Sequence, residues 1–226
     1  MRRFLFGLCL ISCLHVRAQE ENQQVWGCDL YASFDNYGCW NVEPSVTFRP
    51  VCYAGVSVGI FYSRPFVADY SFNGVTSDNR LRWSVKDVES IGEIFAFRSS
   101  LSLFTPPVLL GSDKEYALYL TVSPGATVPF VADRRVVIDY YPNQAGAWTA
   151  IHQESVKNRG ARKVFWHIRT ALTLEVDEHL AFLLAYTCSD FDPYASFRNL
   201  VWEGRCFEAK KHRLSHMVSI GIGIRF

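Results

Sequence analysis

Residues 215–226 read SHMVSIGIGIRF, and this stretch decides the fold. From residue 218 onward, large apolar residues alternate with small or charged ones: Val218, Ile220, Ile222, Ile224 and Phe226 against Ser219, Gly221, Gly223 and Arg225. Successive side chains of a β-strand point to opposite faces of the sheet. The stretch therefore predicts a strand with one apolar face and one face of small or charged side chains.

The same alternation recurs in seven earlier segments of the 226-residue chain: 26–35, 42–49, 53–62, 95–103, 116–123, 164–176 and 180–186. The connections between them differ in length. Three are short or modest: Pro50-Val51, about 105–114, and 177–179. The alternate ones are mostly long and polar: 63–91, 131–161 and 190–213, with a shorter one near 36–41. This asymmetry predicts an all-β fold, an eight-stranded antiparallel up-and-down transmembrane β-barrel with long extracellular loops.

A soluble barrel is the alternative, because alternation alone does not say which face points inward. The polar face is rich in Gly and Ser, as in Gly55, Ser57 and Gly59, whereas a soluble exterior carries more Lys and Glu. Large aromatic residues on the apolar face, such as Trp26 and Tyr186, fall near strand ends, where membrane barrels have interfacial girdles. Both features favour an apolar face turned to lipid.

The amino terminus has the pattern of a secretory signal. Arg2 and Arg3 precede the apolar residues 4–14, and Val16-Arg17-Ala18 has the form of a cleavage site. We therefore expect a signal peptide at residues 1–18, an outer-membrane β-barrel domain at 19–226, and export to the bacterial outer membrane. Lipoprotein processing at Cys13, within Leu10-Ile-Ser-Cys13, is the alternative.

The closing stretch resembles the last strand of bacterial outer-membrane barrels, which the barrel-assembly machinery reads. This resemblance implies that Ile220, Ile222, Ile224 and Phe226 form an assembly signal. The Ala18-Gln19 junction resembles those common in the Bacteroidetes. Residues 116–120, 171–177 and 221–226 are similar to the conjugative-transposon TraO family, which implies a role in conjugal transfer.

The predicted inner face carries a set of charged residues. A buried charge needs a partner, so we expect them to form a network that fills the lumen. They are Glu43, Arg49, Arg98, Arg169, Glu175 and Arg225.

Candidate chemistry outside the lumen is sparse. His212, Ser215 and His216 lie near the start of the last strand, but Ser215 and His216 must point to opposite faces, which argues against a catalytic pair. The spacing of the other His and Asp residues matches no metal-ligand pattern, and no cofactor is expected. Cys188 and Cys206 bracket the last long loop and are candidates for a disulfide; Cys39 is a rival partner, and free thiols are the alternative.

These features predict a non-enzymatic outer-membrane barrel that acts as a structural, assembly or surface-binding component, in its narrowest version in conjugal transfer. The expected partners are outer-membrane lipid, the barrel-assembly machinery and envelope or conjugation proteins. Nucleic acid is not expected, since the formal charge is only +1. A narrow channel and a lipid-modifying enzyme are the alternative functions.

Overall fold

Eight long antiparallel strands form the body of the protein. The computed structural model describes residues 25–67, 69–86, 91–111, 115–158, 160–177 and 179–226, so the predicted signal peptide lies outside the described residues. The strands are β1 (Trp26–Asp35), β2 (Cys39–Val51), β3 (Ala54–Pro65), β4 (Ile94–Phe104), β5 (Tyr116–Pro129), β6 (Phe165–Val176), β7 (Leu180–Ser189) and β8 (Ser215–Arg225). No helix in the described ranges is long and apolar enough to cross a bilayer.

The sheet closes on itself. Each strand pairs with its neighbours in sequence, and β8 pairs with β1 in a register that runs from Gly27 opposite Arg225 to Asp35 opposite Met217. The last residue joins the seam, because the backbone N–H groups of Trp26 and Phe226 each donate to the other's carbonyl at 2.9 Å. The prediction of an eight-stranded up-and-down barrel is confirmed. A closed barrel leaves no strand edge unpaired, which is the requirement for a sheet inside lipid.

The apolar side chains point away from the barrel axis. Ile60 and Ile220 are 49% and 67% exposed, whereas Arg98 and Ser219 on the opposite face are 2% and 1% exposed. An apolar outer surface that runs around the whole barrel is unlike that of a soluble monomer. It matches the lipid-facing band of a transmembrane barrel.

Aromatic rings mark both ends of this apolar band. At the end with short connections, called here the turn end, Trp26 packs on Phe48 with ring centroids 4.7 Å apart. At the opposite end, called the loop end, Trp40 packs on Tyr62 at 5.1 Å and Tyr62 on Phe95 at 4.6 Å. Such pairs form the two girdles expected at the membrane interfaces.

The first connection at the turn end differs from the prediction. The turn between β2 and β3 is at residues 52–53, not at Pro50-Val51. Phe48 pairs with Val56 and Val51 with Ala54, so the two residues between Phe48 and Val51 face a single residue of β3 as a β-bulge. Pro50 lies in this bulge, where a residue without a backbone N–H costs no ladder hydrogen bond.

The long connections at the loop end fold together. Segments His152–Lys157, Arg135–Pro142, Leu81–Val85 and Asn73–Val75 form a four-stranded antiparallel sheet in that order. Two small ladders join Tyr70–Ser71 to Glu208–Ala209 and Val201–Trp202 to Arg205–Cys206. We call the described parts of residues 69–91, 131–158 and 191–212 the cap.

The cap has a hydrophobic core of its own. Its fully buried side chains come from all three long connections: Phe72, Trp83, Val85, Ile91, Val136, Ile138, Tyr140, Tyr194, Phe197, Leu200 and Phe207. Tyr37, from the short turn between β1 and β2, also packs against this core. All four connections at the loop end are therefore tied into one packed unit.

The lipid-facing orientation of the apolar set predicts the effect of a charge placed on it. Ile60 lies at the middle of β3 on the outer face, so Ile60→Arg should lower the free energy of unfolding in lipid vesicles by about 2–4 kcal/mol. Denaturant titration of the refolded protein measures this loss. The matched control is Ile151→Arg, because Ile151 is 60% exposed in the cap. Equal losses for the two variants would mean that Ile60 does not face lipid.

Candidate functional site

A buried carboxylate lies at the centre of an ion-pair cluster in the loop-end half of the lumen. Glu43 of β2 accepts a hydrogen bond from Arg98 Nη1 at 2.6 Å, and the same oxygen accepts one from Arg169 Nη2. All three side chains are nearly inaccessible to solvent. The Arg98 guanidinium lies 3.8 Å from the ring centroid of Phe61, and that of Arg169 lies 4.4 Å from Tyr31. One carboxylate thus joins strands β2, β4 and β6 across the barrel.

A second cluster fills the turn end. Arg225 donates to Asp29 Oδ1 at 2.6 Å and to Glu175 Oε1 at 3.2 Å. Tyr119 donates to the same Glu175 oxygen at 2.5 Å, and Arg49 Nη1 lies 3.7 Å from it. The cluster links strands β1, β2, β5, β6 and β8, so it crosslinks the barrel close to the seam between the two ends of the chain.

All six residues of the predicted charge network lie inside the barrel, distributed between these two clusters. The sequence analysis missed Asp29, although it lies on the polar face of the first strand, between Cys28 and Leu30. Gly223 makes room for the Asp29–Arg225 pair, since a Cβ there would lie 2.1 Å from Asp29 Oδ1 and 2.7 Å from Arg225 Nη1. A glycine facing a charged residue across the β1–β8 register was the available signal.

Between the two clusters the lumen is lined by hydroxyl groups. Thr47, Ser57, Ser102 and Ser123 form a chain of hydrogen bonds across β2, β3, β4 and β5, with O–O distances of 2.8, 2.9 and 2.9 Å. The cavity beside them is about 40 Å³. A space of this size holds one or two water molecules and no larger solute.

Aromatic side chains close the loop end of the lumen. Phe191, from the connection between β7 and β8, packs edge-on against Phe61 and Phe165 with centroid distances of 5.3 and 5.4 Å. Ile94, Ala96 and Met217 complete this buried cluster. The described lumen is therefore filled by an apolar plug and two ion-pair clusters.

The candidate catalytic residues are separated. Ser215 is buried inside the barrel, whereas His216 points outward and shares a 2.6 Å hydrogen bond with Tyr186 Oη at the loop-end girdle. The ring of His212 packs edge-on against Tyr37. Ser215 therefore has no adjacent imidazole base from His216. Across the residues that the structure describes, no three His, Cys, Asp or Glu side chains converge as a metal site.

The candidate disulfide is not formed. Cys188 and Cys206 are both free thiols, as are Cys28, Cys39 and Cys52. Cys188 lies on the lipid-facing side of β7, opposite His216. Cys206 lies in the cap, where it pairs with Val201 in a small hairpin. The long connection folds into the cap instead of spanning directly between its two ends, so bracketing in sequence does not bring the thiols together.

The outer surface of the cap contains a groove of about 620 Å³ beside the edge segment Asn73–Val75. Its lining mixes aromatic and charged side chains, among them Arg82, Tyr141, Trp148, Arg205 and Glu208. The cap next to it is firmly packed: Tyr70 stacks on Phe207 at 5.5 Å, and burial raises the pKa of Tyr70 to about 12. Such a groove on a packed support has the composition of a binding surface.

Comparison with solved structures returns small outer-membrane barrels. The N-terminal β-barrel domain of Pseudomonas aeruginosa OprF aligns with a TM-score of 0.42 and 8% identity, covering 90% of this chain and 98% of that one. Ail, the attachment invasion locus protein of Yersinia pestis, aligns with a TM-score of 0.41 and 9% identity, covering 90% of this chain and 100% of that one. Neisserial surface protein A aligns with a TM-score of 0.39 and 8% identity, covering 89% of this chain and 96% of that one. These likenesses concern the fold alone.

Neither a protein-family model nor a curated protein sequence matches this chain. The resemblance to the TraO family thus rests on the three sequence stretches alone. In the structure these stretches lie at the turn-end halves of β5 and β6 and in β8. They are ordinary barrel strands, and none of them reaches the cap.

The Glu43 cluster predicts a large effect from a small substitution. Glu43→Gln should lower the free energy of unfolding by about 3–5 kcal/mol, because two buried guanidinium groups lose their shared counter-charge. Equilibrium unfolding in detergent micelles measures the difference. Glu154→Gln is the matched control, since Glu154 is exposed and its ion pair is with exposed His152; we expect this substitution to lower the free energy of unfolding by at most about 0.5 kcal/mol. A Glu43→Gln protein as stable as the control would contradict the assignment.

Proposed function

We propose that this protein is a non-enzymatic component of a bacterial outer membrane, whose barrel anchors the cap and whose cap binds a partner outside the cell. The observation that carries the proposal is the difference between the barrel and the cap. The lumen is filled, whereas the connections at one end form a packed unit with a groove on its surface. A membrane anchor needs only the apolar outer face of the barrel, and the side chains that fill the lumen stabilise the barrel.

The alternative of a narrow channel has little support. A conducting path would have to pass the Phe61–Phe165–Phe191 plug and both ion-pair clusters. Each arginine in those clusters is held by a carboxylate, so moving it aside would leave a buried charge without a partner. The lumen is therefore proposed to be structural.

The alternative of a lipid-modifying enzyme would need a different arrangement at the loop-end rim. An enzyme of this kind places a nucleophile and its base within hydrogen-bond reach on the lipid side. Ser215 faces the lumen and His216 faces lipid, which supports the non-enzymatic proposal.

The narrower proposals concern partners. An assembly signal at Ile220, Ile222, Ile224 and Phe226 is consistent with their lipid-facing positions on the strand that closes the barrel. Outer-membrane lipid is the proposed environment of the girdles. A role in conjugal transfer rests on the sequence resemblance, and envelope proteins would meet this chain at the cap.

The proposed orientation places Cys206 outside the cell and Cys52 in the periplasm. A membrane-impermeant maleimide applied to intact cells should therefore label Cys206, which is exposed in the cap, in a Cys188→Ser background. Adding Cys206→Ser should abolish the labelling, and adding Cys52→Ser should leave it unchanged. Labelling that needs a permeabilised outer membrane, or that depends on Cys52, would refute the orientation.

The filled lumen predicts that the protein does not conduct. Reconstituted in planar bilayers, it should give no discrete conductance steps, because ions find no continuous aqueous path through an eight-stranded barrel filled by its own side chains. Phe191→Ala provides the comparison, since it removes the loop-borne member of the plug and leaves both ion-pair clusters intact. Steady steps in the unmodified protein would favour the channel.

A further inference from the structure

The groove on the cap arises where two chain segments separate. Tyr70–Ser71 pairs with Glu208–Ala209 at two positions only. Beyond them the segments take other partners, because Asn73–Val75 joins the four-stranded sheet and Arg205–Cys206 turns back onto Val201–Trp202. The opening between them, with Trp83 among its lining residues, is the groove of about 620 Å³. Each wall of the groove is held by its own ladder.

The two arginines that line the groove, Arg82 and Arg205, form no ion pair with a described carboxylate. Arginines in ion pairs elsewhere in the described chain are Arg49, Arg80, Arg98, Arg162, Arg169, Arg198 and Arg225. Arg82 donates through Nη2 to the carbonyl of Ala147 at 2.9 Å, which orients its guanidinium group. No described carboxylate lies within ion-pairing distance of Arg82 or Arg205. Glu208 is the single acidic side chain in the described lining, so the groove has an excess of positive charge.

An exposed aromatic platform lies beside one of these arginines. Trp148 is 80% exposed, and the Arg82 guanidinium lies 5.7 Å from its ring centroid. Tyr141 lines the same groove, together with the short polar side chains of Ser71, Asn73 and Ser84. A flat indole face stacks well on an apolar ring face, and the hydroxyl, amide and guanidinium groups around it offer hydrogen bonds to a polar ligand.

We propose that the groove binds an acidic saccharide, that is, a sugar chain carrying carboxylate or sulfate groups. A pyranose ring has one apolar face for Trp148, hydroxyl groups for the polar wall, and an acidic substituent for Arg82 and Arg205. A purely apolar ligand would bury both guanidinium groups without partners. An extended peptide would find an open sheet edge of only three residues at Asn73–Val75. The inference rests on the proposed function, since it supplies the ligand class for the cap.

The test uses the full barrel, purified in detergent, and four probes: maltohexaose, its sulfated form, hexagalacturonate and hexaglutamate. Tryptophan fluorescence and biolayer interferometry report binding at low and physiological salt. Both acidic saccharides should bind at least tenfold more tightly than neutral maltohexaose. Trp148→Ala should weaken their binding about tenfold, since aromatic contacts and charge-assisted bonds contribute comparably at such sites. Arg82→Gln and Arg205→Gln should each weaken it by a similar factor.

The matched control is Arg80→Gln, which removes one positive charge from the same cap outside the groove. Every variant must first show the same gel shift on heating as the unmodified barrel. The proposal is overturned if Arg80→Gln weakens binding as much as Arg82→Gln, if maltohexaose binds as tightly as its sulfated form, or if hexaglutamate binds as well as the saccharides. Failure of the maleimide experiment would instead refute the orientation and leave the saccharide result intact.

Discussion

The constraint on which this structure depends is that a backbone inside lipid has no water to bond with. Eight strands satisfy it by closing into a barrel, and the chain's last residue completes the seam by exchanging hydrogen bonds with Trp26. Closure forces the period of two along every strand, because each residue must face either lipid or the lumen. The apolar and polar sets of residues are therefore consequences of a single requirement.

The lumen then poses a second problem, since the polar face must be satisfied without bulk water. The charged side chains bond to one another in clusters that span several strands. Glu43 serves two guanidinium groups, and Glu175 serves Arg49, Arg225 and the Tyr119 hydroxyl. Hydroxyl groups line the layer between the clusters and bond to one another across four strands. A lumen built this way crosslinks the strands from the inside of the barrel.

The sequence allowed the barrel to be predicted because its signal is local. Alternation identified all eight strands and the inward position of Arg98, and it needed no knowledge of which strand lies beside which. It placed Asp29 on the polar face but did not join it to Arg225, because that pairing requires the register of β1 against β8. It left the state of Cys188 and Cys206 open and gave no pairing of segments within the cap for the same reason. The pairing of Ser71 with Glu208 joins residues far apart in the chain, and no local period records it.

One short stretch of chain contributes side chains both to the plug of the barrel and to the core of the cap. Phe191 plugs the lumen, and three residues later Tyr194 is in the cap core, followed by Phe197 and Leu200. Asp192, between them, accepts two hydrogen bonds from Arg198, whose other donors bind the carbonyls of Ala209 and Lys210. Residues 191–200 therefore contribute to both packed units, with Phe191 in the plug and Tyr194, Phe197 and Leu200 in the cap core. Because the two groups of side chains are only a few residues apart in the chain, the position of the cap core is coupled to the packing of the plug.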